Sequence, residues 1–183
     1  TGSDGFIGSH LVEELVRRGY DVRAFVMYNS FNSWGWLDKC ASDVKEKFEV
    51  FQGDIRDPNG VRQAITGCDV VLHLAALIAI PFSYHSPDSY VDTNIKGTLN
   101  ILQAAREKNV RVIHTSTSEV YGKNKNNFLK ENDNYVIGNS NIFRWSYAAS
   151  KIVDEFLSKA YFYEKKLKVL IIRFFNVVGP KQT

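Results

Sequence analysis

Tyr147 and Lys151 stand four residues apart in the string YAASK, so on a helix they share one face, one turn apart. A lysine ammonium beside a phenol favours the phenolate and lowers its pKa from the usual value of about 10, letting the tyrosine take a proton from a substrate hydroxyl near neutrality. Tyr-x-x-x-Lys is common on helices by chance, and its meaning depends on what stands across from it. The stretch HTSTSEVYG, His114 to Gly122, sets Thr117, Ser118 and Glu119 at the end of an apolar run. On an extended segment Thr117 and Glu119 point the same way. Thr117 would then bond the hydroxyl that Tyr147 deprotonates, and Glu119 would abstract the acidified proton beside a newly formed ketone. The plainer alternative makes this a polar strand exit, with Glu119 capping a helix or pairing with a nearby lysine.

A second constellation opens the chain. Gly2, Gly5 and Gly8 recur every third residue ahead of an amphipathic pattern in which Ile7, Leu11, Val12, Leu15 and Val16 share a face. Glycines so placed let the backbone turn tightly, approach a pyrophosphate and aim helix N-terminal amides at it. A loop with a close helix contact reads the same way, so the spacing needs support. The usual acidic residue about 20 positions on, which grips an adenosine ribose, is missing: the next strand ends in VMYNS. Asn29 or Ser30 is left to bond the ribose. No arginine stands at that strand end to meet a 2′-phosphate, which favours NAD over NADP. Asp54, closing the following strand, is the candidate partner for the adenine amino group, with a strand-end cap as the alternative.

Positioning these groups requires alternating strands and helices, and the chain supplies them. DVRAFVM, KFEVFQGD, CDVVLHLAA, VRVIHTS and KVLIIRFFNVV read as strands. The segments from Phe6, from about Asp57 to Thr66, SYVDTNIKGTLNILQAAREK and SYAASKIVDEFLSKAYFYEK read as helices, with a loop or short helix around SWGWLDKCASDV. In the third helix Val91, Ile95, Leu99, Leu102 and Ala105 fall at helical spacing. Gly97 in its middle costs about 1 kcal/mol against alanine, so a close packing contact is expected there. Strands apolar enough to be covered on both faces predict an α/β fold, a Rossmann-type doubly wound parallel sheet with ligands beyond the carboxyl ends of the strands. A glycine loop normally follows a central first strand. Residues 1–183 therefore read as a dinucleotide-binding domain lacking its first strand and most of a C-terminal substrate lobe, a fragment of a longer two-lobed enzyme.

The bulk composition narrows the partners. With 183 residues, 44% of them hydrophobic and 23% charged, the chain suits one globular core. The net charge of +3 is spread through KNKNNFLK and YEKKLK without an aromatic-interleaved stripe, which argues against nucleic acid as a partner. Cys40 and Cys68 form no metal-ligand spacing and read as free core thiols in a reducing compartment. The most apolar run, Leu74 to Ile80, is far shorter than a membrane span and stops at Pro81. With no export signal visible, a cytoplasmic location is expected. His10, His73, His85 and His114 make no metal set; His73 and His114 read as satisfied core imidazoles. Trp34, Trp36 and Trp145 suit a core or a pocket wall equally.

Taken in order, TGSDGFIGSHL, GDIRD, LHLAAL, NIKGTLNILQAA, STSEVYG, YAASK and RFFNVVGP span nearly the whole chain. The chain thereby resembles the extended short-chain dehydrogenase/reductase family, the NAD-dependent epimerases and dehydratases of nucleotide sugars. That resemblance implies a dinucleotide held by Gly2, Gly5, Phe6, Ile7, Gly8, Asp54 and Ile55. Leu74, Ala75, Ala76, Thr115 and Phe174 would line it, and Asn94 would support the cofactor side. Thr117, Tyr147 and Lys151 would form the oxidation centre, with Glu119 catalytic and Ser118 and Asn176 toward the nucleotide-sugar substrate. A homodimer through the helices around Leu99 and Ile152 is also implied.

Family chemistry starts with oxidation at the sugar C4, and three outcomes follow from the 4-ketone. A 4,6-dehydratase uses a glutamate on the C5 proton and expels water, a decarboxylase loses carbon dioxide from a uronic acid, and a 4-epimerase returns hydride to the other face. YNSFNSWGWLD and LIAIPFSYHSPDSYVDTN resemble 4,6-dehydratase-like proteins acting on UDP- or GDP-linked N-acetylglucosamine, which makes a 4,6-dehydratase the leading expectation. NIFRWSYAASKIVDEFL is more similar to UDP-glucuronate decarboxylases and UDP-glucose epimerases. Ser118 replaces the acid of the dTDP-glucose dehydratases, while Thr117-Ser118-Glu119 resembles the pattern of the GDP-mannose dehydratases and of the decarboxylases, a departure that bears on substrate class. A catalytically idle NAD-binding regulatory protein is the alternative of another class; a complete Thr/Tyr/Lys set with a facing carboxylate argues against it.

Overall fold

The computed structural model describes residues 1–182. Its elements alternate as α1 (Phe6–Arg17), β1 (Val22–Met27), a 3-10 turn (Gly35–Lys39), α2 (Ser42–Lys45), β2 (Phe48–Gly53), α3 (Pro58–Ile65) and β3 (Val70–His73). There follow α4 (Ile80–His85), α5 (Pro87–Tyr90), a π-helical turn (Val91–Lys96), α6 (Gly97–Glu107), β4 (Arg111–Thr117), a 3-10 turn (Ser118–Tyr121), α7 (Trp145–Lys165) and β5 (Val169–Phe174). All strand pairings are parallel, β1 with β2 in one group and β3, β4, β5 in the other. Residues Thr1 to Ser3 run between the groups: the Thr1 nitrogen donates to the Leu72 carbonyl (2.8 Å) and the Ser3 amide to that of Phe25 (3.2 Å). The two parallel groups, β2-β1 and β3-β4-β5, therefore flank Thr1–Ser3 in a Rossmann-type doubly wound arrangement.

Alternation along β1 builds two cores. Ala24 and Val26 pack with Val12, Val16, Leu37 and Val44, whereas Phe25 faces the opposite layer with Ile55, Val61, Ile101, Leu102 and Val112. Helices cover both faces, which is why β1 is apolar at every position but Arg23. Local chemistry fixes the element starts. Asp57 caps α3 by accepting from the amides of Asn59 (2.9 Å) and Gly60 (3.1 Å), and Pro58 sits where a missing N–H costs nothing.

One expected face is corrected. Leu102 and Ala105 are buried, but Val91 is 45% exposed and Ile95 and Leu99 are half-buried; the inward row is instead Asn94, Gly97, Thr98 and Ile101. The π-helical turn widens the helix there and rotates the buried stripe. Asn94 occupies the turn because its side chain satisfies both backbone groups of Leu77, accepting from the amide at 2.8 Å and donating to the carbonyl at 3.0 Å. Gly97 meets the predicted close contact: a Cβ there would lie 2.6 Å from Cδ1 of Ile55. Among the described residues, no helix is long and apolar enough to cross a membrane.

Candidate active site

The carboxyl ends of the strands and the start of α1 surround a cleft of about 910 Å³. Its floor is the glycine loop. Gly2 has φ 68°, and a Cβ on it would stand 2.8 Å from the Ala75 amide nitrogen. A Cβ on Gly8 would overlap the Gly2 carbonyl oxygen, so the helix can approach the loop only as glycine. Gly5 precedes α1 with no side chain capping the first amides, and Gly5, Phe6 and Ile7 line the cleft. Uncapped amides and a positive helix end make this a cradle for an anion such as a pyrophosphate. Asp54, Ile55, Leu74, Ala75 and Ala76 line the same cleft, as do Thr115, Phe174 and Asn176. Arg56 grips Asp54 through Nη2 (2.5 Å) and Nε (2.9 Å), and those bonds hold the carboxyl below its ordinary pKa.

Five expected site residues, Asn29, Ser30, Asn94, Ser118 and Glu119, fall outside the cleft lining. Asn29 is spent on its own loop: its side chain accepts from the Phe31 amide (3.0 Å) and donates to the Ser33 carbonyl (2.8 Å). Asn94 acts from behind, through Leu77 and through Ser150 Oγ at 3.2 Å. Ser118 and Glu119 depart for a conformational reason. The strand ends at Thr117 and the chain turns as a 3-10 helix, with Thr117 Oγ1 accepting from the Glu119 amide (3.2 Å), so the two-residue alternation does not carry past Thr117. Glu119 instead pairs with Arg144 at 2.8 Å, the pairing alternative with arginine in place of lysine.

Thr117, Tyr147 and Lys151 do meet at the cleft. The electrostatics differ from the expectation of an acidified phenol. Burial pushes Tyr147 up to about 12, the Thr117 side chain pulls it back only in part, and Tyr90, Asp154 and Glu119 push it further. Lys151, 2% exposed, has its ammonium 2.9 Å from Asp154 Oδ2 and 3.3 Å from His114 Nε2. The cation on which the tyrosine depends is thus already paired.

Asp154 and Arg144 escaped the sequence reading. The three-residue interval from Lys151 to Asp154 was a usable signal, since such pairs meet on a helix. His73 is satisfied as expected, bonded to Thr1 Oγ1 (2.8 Å) and Thr98 Oγ1 (3.0 Å), but His114 keeps Nδ1 without a partner.

Comparison with known proteins addresses the family directly. The family described as GDP-mannose 4,6 dehydratase matches residues 1–183. The chain belongs to that family. It is thereby a member of the extended short-chain dehydrogenase/reductase superfamily of NAD-dependent nucleotide-sugar epimerases and dehydratases. A UDP-N-acetyl-alpha-D-glucosaminuronate decarboxylase of Bacillus cytotoxicus is 38% identical over 181 residues, 99% of this chain and 54% of the relative. A UDP-N-acetylglucosamine 4-epimerase from Methanobrevibacter ruminantium superposes with a TM-score of 0.83 at 32% identity, covering 100% of this chain and 55% of that one. A double mutant of the dTDP-glucose 4,6-dehydratase of Streptomyces venezuelae, solved with NAD, superposes with a TM-score of 0.84 at 30% identity, covering 99% and 56%. The chain spans about half the length of the curated relatives it matches, 54% of each of the first two.

Proposed function

We propose that this chain is the dinucleotide-binding lobe of a longer NAD-dependent enzyme that oxidises a nucleotide-linked uronic acid at C4 and releases carbon dioxide from it. The observation that carries the choice of outcome is the Glu119–Arg144 pair at 2.8 Å. Dehydration needs a free glutamate for the C5 proton and an acid for the leaving C6 hydroxyl. Here Glu119 is bound to a cation and Ser118 is no acid. Decarboxylation needs neither. The decarboxylase relative at 38% identity supports the same reading.

The residues present fit a nicotinamide dinucleotide. Gly2, Gly5 and Gly8 would hold its pyrophosphate on the α1 amides, Asp54 its adenine, and Lys151 its nicotinamide ribose. Bound there, it supplies the acceptor and later the donor of one hydride. Tyr147 takes the proton of the C4 hydroxyl, and Thr117 bonds that oxygen and fixes its position. The 4-ketone then lies β to the C6 carboxylate, so the C5–C6 bond breaks with its electron pair entering the C4–C5 enolate. A proton returns to C5, and Tyr147 returns its proton to O4 as C4 is reduced. The outer strip of α7, with Val153 40% and Phe156 61% exposed, supports pairing of two copies through α6 and α7.

The family's description keeps 4,6-dehydration as the second reading. Product mass separates them when full-length protein is given NAD with UDP-glucuronate, its N-acetylglucosamine counterpart and UDP-N-acetylglucosamine. Loss of carbon dioxide from a uronate is expected. Loss of water would establish the dehydratase, and interconversion at C4 with unchanged mass the epimerase. Binding of NAD without turnover of any substrate would restore the idle cofactor-binding alternative.

A further inference from the structure

Beneath the Tyr147–Lys151 pair lies a polar cluster that the reaction above does not use. Asp154 and His114 are both fully buried, and both approach the Lys151 ammonium, at 2.9 and 3.3 Å. Thr98 on α6 faces Asp154 and also bonds His73 on β3 at 3.0 Å. Burial first, and the Lys151 charge second, hold His73 and His114 well below the ordinary imidazole pKa, so both are neutral. Glu155, the other acid beside Asp154, is committed to Arg173 at 2.7 Å. Asp154 is therefore the anion that balances Lys151. On the carboxylate side Thr98 helps to hold the charge, although Asp154 Oδ1 makes no hydrogen bond of ordinary geometry among the described residues. Burial leaves its carboxyl raised to about 6 even with the ammonium beside it.

An ammonium in contact with a carboxylate presents little net charge to a third group. The charged and titratable groups facing Tyr147 are Lys151 and Asp154 on its own helix, Tyr90 from α5 and Glu119 from the turn after β4. Lys151 is the one cation in this set, and thus the one charge in it whose sign suits a phenolate. We propose that Asp154 is a positioning residue of the oxidation centre, holding the Lys151 ammonium in an ion pair and so withholding its charge from Tyr147 until Lys151 is drawn to another partner. This rests on the reading of Tyr147 as the base, and it assigns a built-in restraint to that base.

The test needs neither cofactor nor substrate, so it can succeed where the product assay fails. Full-length protein carrying carbon-13 at the tyrosine ring carbon that bears oxygen is titrated by NMR, with Tyr147 assigned by its disappearance in Tyr147→Phe. In Asp154→Asn the Tyr147 midpoint should fall by about one to three pH units, the effect of an uncompensated opposite charge nearby. Lys151→Met should then raise that midpoint strongly in the Asp154→Asn background and little in the parent, and Asp154→Glu should restore the parent value. Where turnover is measurable, the acid limb of kcat/KM should move down with the phenol. A Tyr147 midpoint unchanged in folded Asp154→Asn, or the same Lys151→Met shift in both backgrounds, would overturn the proposal. If Asp154→Asn does not fold, Asp154→Ser removes the same charge with less bulk and carries the same two outcomes.

Discussion

Single residues at the cleft are set by what their neighbours leave open. Gly8 must lack a side chain because the Gly2 carbonyl fills the space a Cβ would take, and that carbonyl is backbone. Gly8→Ala should therefore distort the cradle and weaken NAD binding by at least about tenfold, roughly 1.4 kcal/mol, measurable by calorimetry. Gly97 is the contrasting case, since its obstacle is the tip of Ile55. Gly97→Ala should lower unfolding stability by about 1–3 kcal/mol despite the better helix propensity, and Ile55→Val should recover part of the loss. Gly97 was legible because an internal helix glycine has a known cost. The loop role of Asn29 was not legible from its place at a strand end; an asparagine that accepts amides two and four residues ahead is building its own loop. The conformation at Glu119 was not legible because the strand gives way to a 3-10 turn after Thr117.

At the scale of elements, α7 is the member that joins site to scaffold. One face carries Tyr147 and Lys151 into the cleft, and Glu155 locks the helix to β5 through Arg173 at 2.7 Å, with Ser116 and Tyr135 donating to the same carboxylate at 2.6 Å each. Burial pushes the Glu155 carboxyl up, but the bonds from Arg173, Ser116 and Tyr135 overcome it and hold the group below its ordinary value. A depressed carboxyl pKa stabilises the fold above the unfolded value, and that contribution fades as pH falls through the folded one. Glu155→Gln should cost about 3–5 kcal/mol at neutral pH, because Arg173 is left buried without its anion, and should flatten the loss of stability below about pH 4.5 in urea titrations. The end of α7 gives a milder prediction. Lys166 sits at φ 59°, a left-handed cap that glycine takes without strain, so Lys166→Gly should add about 0.5–1 kcal/mol. Helix and strand positions were readable from periodicity. The π-helical turn was not, since what dictates it is Asn94 reaching Leu77 across the fold.

For the whole molecule, alternating strands and helices announced the parallel doubly wound architecture, and two-sided apolar strands such as β1 announced helices on both faces. The meeting of Thr117, Tyr147 and Lys151 was legible for the same reason: strand ends in such a sheet converge on one cleft. The electrostatic state of the site was not legible, because it depends on partners brought together by folding: His114 on β4, Thr98 on α6 and Asp154 on α7. The two buried neutral imidazoles also tie stability to pH. The unfolded chain binds protons at His73 and His114 below about pH 6.5 while the folded one resists them, so the denaturation midpoint should drop between neutrality and about pH 5.

The central claim is that Tyr147 initiates oxidation at the sugar C4. It is tested most directly by following deuterium placed at C4 of a UDP-linked uronate through a single turnover on full-length protein with stoichiometric NAD. The account predicts that the label appears on the cofactor before carbon dioxide is released, and that Tyr147→Phe binds NAD yet leaves the label in place. Product formed with the label never leaving C4, or an unaltered transfer in Tyr147→Phe, would contradict it.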